Sequence, residues 1–107
     1  MSQEQPNLDY IDRLSGDDEA FKQKFLAILK GEFPEEQKEY MESLQNGDAK
    51  KTALIVHKLK HKFNILSLYQ GYEIAVDYEK ALHTGDFSMH PNFMSVLDRI
   101  ESYLKTI

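Results

Sequence analysis

Between Ala49 and Leu68 the chain reads AKKTALIVHKLKHKFNILSL, and its apolar residues recur with the period of a helix. At about 100° per residue, Thr52, Val56, Leu59, Phe63 and Leu66 fall within roughly 40° of a common direction. A stripe of that width is the buried face of an amphipathic helix. His57 points about 140° away from its centre. His61 follows one turn later, Asn64 lies one turn beyond, and Lys60 sits on the near flank. His57, Lys60 and His61 therefore make one polar patch. Leu54 and Ile65 lie beside this patch and face away from the core. Exposed apolar side chains around a polar group suit a docking surface, although single exposed leucines need no explanation.

The chain has 107 residues and no cysteine. That length suits one domain with a core of its own, and disulfides and thiolate metal sites are excluded. Absence of cysteine fits a reducing compartment. No run reaches the apolar length of a membrane span, and the N-terminal MSQEQPNLDY is polar and acidic, unlike a signal peptide. A cytoplasmic location is expected. The formal charge of −5 argues against nucleic acid, which calls for a basic stripe. One basic cluster stands out, formed by Lys58, Lys60, Lys62 and the two histidines. Such a contrast would steer an acidic partner to this helix, and it equally suits a solvated face.

Taken in order, Met1 to Asn7 reads as a frayed lead. Leu8, Ile11 and Leu14 are spaced for a short helical turn or two, ended by Ser15–Gly16. Asp17 or Asp18 caps a second helix with apolar positions Phe21, Phe25, Ile28 and Leu29. Gly31 is expected to interrupt it, and Phe33–Pro34 to open the next segment, lined by Phe33, Tyr40, Met41 and Leu44. Asn46–Gly47 ends that segment and Asp48 caps the histidine-bearing helix, which should run antiparallel to its predecessor. A bend is expected at Tyr69 to Gly71. Tyr72, Ala75, Val76, Glu79 and Leu82 then stripe another helix, and His83 to His90 forms a turn-rich linker. Pro91 starts the last helix, whose stripe is Phe93, Val96, Leu97, Ile100, Tyr103, Leu104 and Ile107. Tyr69, Tyr72 and Tyr78 are expected to pack with the hydroxyl at the core's edge. The architecture is all-α: an antiparallel four-helix bundle with a short extra N-terminal helix, spanning residues 1–107 as one domain.

Several chemistries are excluded. The glycines are scattered through turns rather than gathered into a phosphate loop, and neither a serine motif nor HExxH is present. Paired carboxylates would need a cleft that a small bundle hardly provides. His57 and His61 have the i, i+4 spacing of a metal pair, but a stable site wants a third or fourth ligand and Lys60 opposes a cation. No metal is expected.

The segment VHKLKHKFNILSL resembles the signature of the histidine-containing phosphotransfer family, an exposed histidine followed two residues on by an apolar residue and then lysine. His57 matches the phospho-accepting histidine, Leu59 the apolar position and Lys60 the lysine beside the phosphoryl group. Phe33, Leu44 and Gly47–Asp48 occupy the places of the family's upstream phenylalanine, apolar run and Gly-Asp turn. Tyr78–Glu79 resembles its apolar-Glu pair. The resemblance spans roughly Leu8 to Leu104, and its specific part is the His-x-x-Lys core.

The resemblance implies a phosphocarrier in a His-Asp phosphorelay. His57 would exchange a phosphoryl group with the aspartate of a response-regulator receiver domain, or of the receiver of a hybrid sensor kinase. Lys60 would offset charge on the phosphoryl oxygens, and Asn64 or His61 would donate a hydrogen bond. Leu54, Lys58 and Ile65 would dock the partner. The chain would need no cofactor of its own, since the Mg²⁺ belongs to the receiver. It would act as a monomer with no independent kinase or hydrolase activity. Two departures stand out. The family usually has glycine where this chain has His61, and a second glycine where it has Ser67; serine is small enough to keep helices close. Other readings are a receiver-docking or interaction module that carries no phosphate, and a structural or dimerising bundle.

Overall fold

A computed structural model describes residues 4–107, and among them the secondary structure is entirely helical. Helix α1 spans Asp9–Ser15, α2 Glu19–Gln45, α3 Ala49–Ile65, α4 Tyr69–Leu82 and α5 His90–Leu104. The four longer helices form an up-down-up-down bundle, and α1 packs against α2 at one end. Cross-helix contacts show the directions. Thr52 hydrogen-bonds Ser43 and Lys62 pairs with Glu32, so α2 and α3 are antiparallel. His57 meets Glu79 while a Cβ on Gly71 would meet Phe63, so α3 and α4 are antiparallel too. Tyr78 and Gly71 meet Phe93 and Val96 in the same sense.

The buried stripe of α3 is the one its period demands: Thr52, Val56, Leu59, Phe63 and the following Leu66 are all fully buried. Asp48 caps the helix by accepting from the Lys51 N–H at 3.0 Å, and Asp18 caps α2 through the Phe21 N–H at 2.9 Å. Around the stripe stands an aromatic centre. The ring of Tyr40 lies 5.0 Å from that of Phe93, and Phe93 is 5.3 Å from both Phe63 and Tyr78. The Tyr40 and Tyr78 hydroxyls hydrogen-bond each other at 2.9 Å, and Tyr40 continues to His90 Nδ1 at 2.7 Å. Burial pushes both phenols above their ordinary range, so they stay neutral partners of each other. The Tyr78 hydroxyl is thus inside the core, not at its edge. Tyr72 is half-buried and Tyr69 exposed.

Helix α2 departs from the expected plan. It runs through Gly31 and Pro34 as one helix of 27 residues. Leu26, Leu29, Phe33 and Tyr40 stay on one buried face along its length, while Gly31 and Pro34 lie on the exposed side. A proline inside a helix costs ~3 kcal/mol. Burial of each large apolar side chain returns about 1.5–3 kcal/mol, so four residues in one register outweigh one proline. That register also leaves Phe21, Ile28 and Met41 exposed, and Leu26 is buried in place of Phe21 and Ile28. Leu14 of α1 is exposed as well.

The chain before α1 is held, not frayed, over Glu4 to Asn7. Pro6 is buried, the Asn7 N–H donates to the Leu66 carbonyl, and the Glu4 carboxylate accepts from the Gln70 and Gly71 N–H groups. Glu4 thereby caps α4, whose own N-cap residue Leu68 has no side-chain acceptor. Met1 to Gln3 lie outside the described residues. Because α4 already starts at Tyr69, the bend falls earlier than expected, at Leu66 to Leu68. There the Ser67 N–H donates to the Asn64 carbonyl and the Leu68 N–H to the Phe63 carbonyl. This is a Schellman stop, the same pair of bonds that Gly47 and Asp48 make at the end of α2. The motif wants a left-handed residue, and Ser67 supplies it at φ 64° where Gly47 does so at φ 65°. The requirement at position 67 is therefore one of backbone conformation and not only of side-chain size.

A non-glycine residue in that region costs about 1–2 kcal/mol, and the buried Ser67 hydroxyl has no hydrogen-bond partner among the described residues. Ser67→Gly is expected to stabilise the fold by ~1 kcal/mol, after the extra flexibility of glycine in the unfolded chain is subtracted. Thermal unfolding should show a rise of about 4 °C or more. An unchanged or lower midpoint would show that Ser67 carries no strain.

Candidate functional site

With the apolar stripe of α3 buried, the opposite face must carry His57 outward. Its side chain is 53% exposed. Nδ1 lies 3.2 and 3.3 Å from the two oxygens of Glu79, one helix over on α4. Lys60 Nζ reaches the same carboxylate at 3.2 Å. Glu79 therefore accepts from His57 and forms an ion pair with Lys60, two groups one turn apart on α3. Lys60 is 13% exposed, and its ammonium lies 5.8 Å from the centre of the Tyr72 ring. The stem is covered while the charge is satisfied between a carboxylate and an aromatic face.

This geometry assigns the tautomer of the neutral imidazole. A carboxylate only accepts, so Nδ1 must carry the proton. Nε2 then holds the lone pair, pointing away from Glu79. An exposed imidazole with one nitrogen tied down and the other unprotonated is a nucleophile with a defined direction. His61 lies one turn on along α3. Its ring centre is 5.1 Å from that of His57, with the planes at 89°, an edge-to-face arrangement. Asn64, two turns along from His57, is exposed and makes no side-chain hydrogen bond among the described residues. It stands beside the patch and is not joined to it.

The expected docking residues separate into two groups. Leu54, 63% exposed, borders a hollow of about 630 Å³ beside His57. Ala49, Ala53, Leu54 and Leu82 make its apolar lining, with Lys50 and His83 among the polar residues around it. The alanines, by lacking bulk, leave room between α3 and the end of α4. Lys58 is exposed on the same helix. Ile65 turns instead toward α2, half-buried, in a second hollow with Phe25, Ile28 and Leu29. It lies about 80° around α3 and about 12 Å along it from His57. Lys62 is buried and paired with Glu32 at 3.1 Å and Glu36 at 2.9 Å, so it drops out of the basic cluster. Sequence spacing places Lys62 only 40° beyond Lys58, and only the packing of α2 shows that it is enclosed.

Two contributions escape a reading of single helices. Glu79 falls on the expected core stripe of α4, and its partnership with His57 needs the antiparallel register of α3 and α4. Phe21 and Ile28 look like core residues until Leu26 takes their place. Among the described residues no group of three or more histidine, aspartate or glutamate side chains could hold a metal ion. No described helix is long and apolar enough to cross a membrane. Comparison with family models, curated proteins and solved structures finds no match to this chain.

Glu79→Ala should release Nδ1 and let the neutral His57 ring move toward the Nε2–H tautomer. Two-bond ¹H–¹⁵N correlation spectra would show this as exchange of the protonated and unprotonated nitrogen signals. Identical His57 spectra in the two proteins would show that Glu79 does not set the tautomer.

Proposed function

We propose that the chain is a phosphocarrier that exchanges a phosphoryl group between His57 and the aspartate of a receiver domain. The observation that carries this reading is the state of His57: exposed, anchored through Nδ1 by Glu79, and offering the Nε2 lone pair to an incoming group. In the forward step that lone pair forms the N–P bond as the phosphoryl–oxygen bond of an aspartyl phosphate breaks. The leaving electron pair returns to the aspartate carboxylate, and the reverse step regenerates the neutral imidazole. No acid or base of this chain is consumed. The divalent ion belongs to the receiver, and Lys60 contributes positive charge near the transferring group.

Two apolar regions suit a partner, one beside His57 and one about 12 Å along α3 from it. One is the hollow at Leu54; the other is the ridge of Phe21 and Ile28 with the Ile65 hollow. Ile28 is 52% exposed and lines the same hollow as Phe25 and Ile65, so the apolar surface there is continuous. Lys50, Lys51 and Lys58 on the exposed side of α3 favour an acidic rim on the partner. The reading places the protein in the cytoplasm as a monomer that meets receivers, of a response regulator or a hybrid sensor kinase, and not nucleic acid.

Docking without phosphate is the second reading, favoured by one observation: His61 packs against the very ring that must react. A transfer assay separates the two. A ³²P-labelled receiver should label the wild-type chain with an acid-labile, base-stable phosphoryl group. His57→Ala should abolish labelling while changing stability by no more than about 0.5 kcal/mol, because the side chain is largely outside the core. A wild type that binds the receivers tested but takes no label would establish the docking reading. Lys60→Ala is expected to slow transfer about tenfold without eliminating it, because it removes the ion pair that holds the Glu79 carboxylate against His57. An unchanged rate would remove Lys60 from the reaction.

A further inference from the structure

We infer that His61 is the hydrogen-bond donor to the phosphoryl group on His57, and that Lys60 acts on that group only through Glu79. The inference rests on the phosphocarrier reading and divides the labour within it. The geometry of Lys60 is the first ground. Its ammonium is 3.2 Å from Glu79 Oε1, and that oxygen is 3.3 Å from His57 Nδ1. Lys60 is thus held on the Nδ1 side of the ring, whereas the phosphoryl group bonds to Nε2. Its low exposure and its place beside the Tyr72 ring hold it there. To reach the phosphoryl oxygens it would have to abandon the carboxylate that sets the tautomer.

His61 has no such commitment. It is exposed, it makes no side-chain hydrogen bond among the described residues, and its ring centre is 5.1 Å from that of His57. At that separation, a side-chain rotation that turns one of its N–H groups toward Nε2 would let it donate to an oxygen of a phosphoryl group there. Either neutral tautomer has one N–H to give, so donation does not require protonation. The oxygens of a phosphoramidate carry their charge most fully in the resting bonded form. They lose it as the loose transition state separates the phosphoryl group from nitrogen. A donor to those oxygens therefore prolongs the life of the phosphorylated state. In this chain a hydrogen-bonding ring would do at position 61 what an open glycine cannot.

The test uses the full chain and phosphoramidate, which requires no receiver. The Nε2 lone pair forms the new N–P bond as the reagent's P–N bond breaks. The displaced electron pair stays on the amine nitrogen, which takes a proton from water and leaves as ammonia. After removal of reagent, the half-life of phospho-His57 is followed by ³¹P NMR. His61→Gly is expected to shorten it about three- to tenfold, the loss of one hydrogen bond to a charged group near solvent. His61→Gln, which keeps a donor, should restore most of the half-life, and His61→Phe, which keeps only a ring, should not. An unaltered half-life in His61→Gly, or rescue by Phe equal to that by Gln, would overturn the donor role. For Lys60, the effect of Lys60→Ala on the half-life should vanish in a Glu79→Ala background. A full additional effect there would return Lys60 to direct contact. If neither phosphoramidate nor a phosphorylated receiver labels the wild type, the phosphocarrier reading fails. If the wild type is labelled and position 61 is indifferent, only the present inference fails.

Discussion

Burial of the α3 stripe is the constraint from which the rest of the molecule follows. Thr52, Val56, Leu59, Phe63 and Leu66 have no exposed surface, so α3 cannot rotate without bringing several large side chains into water. Each of the larger ones would cost about 1.5–3 kcal/mol to expose, a sum comparable to the whole stability of a small domain. With rotation fixed in this way, His57 must face outward and Lys62 must face α2. The position of the reactive-looking group is thus a consequence of packing on the other side of the helix. No interaction at the surface needs to hold it there.

A second layer of order comes from sharing. Glu79 accepts from His57 and forms an ion pair with Lys60, so one carboxylate fixes the tautomer of the imidazole and the placement of the ammonium. The arrangement is partly covered by Tyr72, which raises the strength of the contacts compared with fully exposed pairs. Its cost is that Lys60 is committed to the Nδ1 side of the ring, away from Nε2. The edge-to-face neighbour His61 is left exposed, with no side-chain hydrogen bond among the described residues. What looks in the sequence like a single cluster of histidines and lysines is in three dimensions a held half and a free half.

Much of the fold was legible because periodicity reports directly on burial. The stripe of α5 predicted its core nearly residue by residue and that of α3 the centre of its buried face, beside which Ala53, Ile55 and Lys62 are also buried; Asp18, Asp48 and Gly47 marked helix ends through local chemistry alone. Legibility failed wherever two local signals competed. In α2 the Phe21–Phe25–Ile28 ridge and the Leu26–Leu29–Phe33 ridge are both helical in spacing, and Gly31 and Pro34 argue for a break. Only the stripe that continues to Tyr40 can meet the rest of the bundle along its full length, so that stripe is buried and the break is overridden. Glu4 is the opposite case. Nothing near it in the chain hints at a cap, because the N–H groups it satisfies lie at Gln70 and Gly71, more than sixty residues away.

The sequence by itself determined that the chain forms helices, where most of them start and stop, and that His57 lies off the apolar face of its own helix. These depend on the period of one helix and on bonds spanning a few residues. Tertiary structure alone decided that Glu79 faces His57, that Lys60 is held on the Nδ1 side and that Lys62 is enclosed. It also decided that Ile65 belongs to the α2 flank. Each of these is a relation between two helices, and depends on their mutual rotation and register. That rotation and register follow from the simultaneous burial of all four stripes, a condition no single stretch of sequence contains.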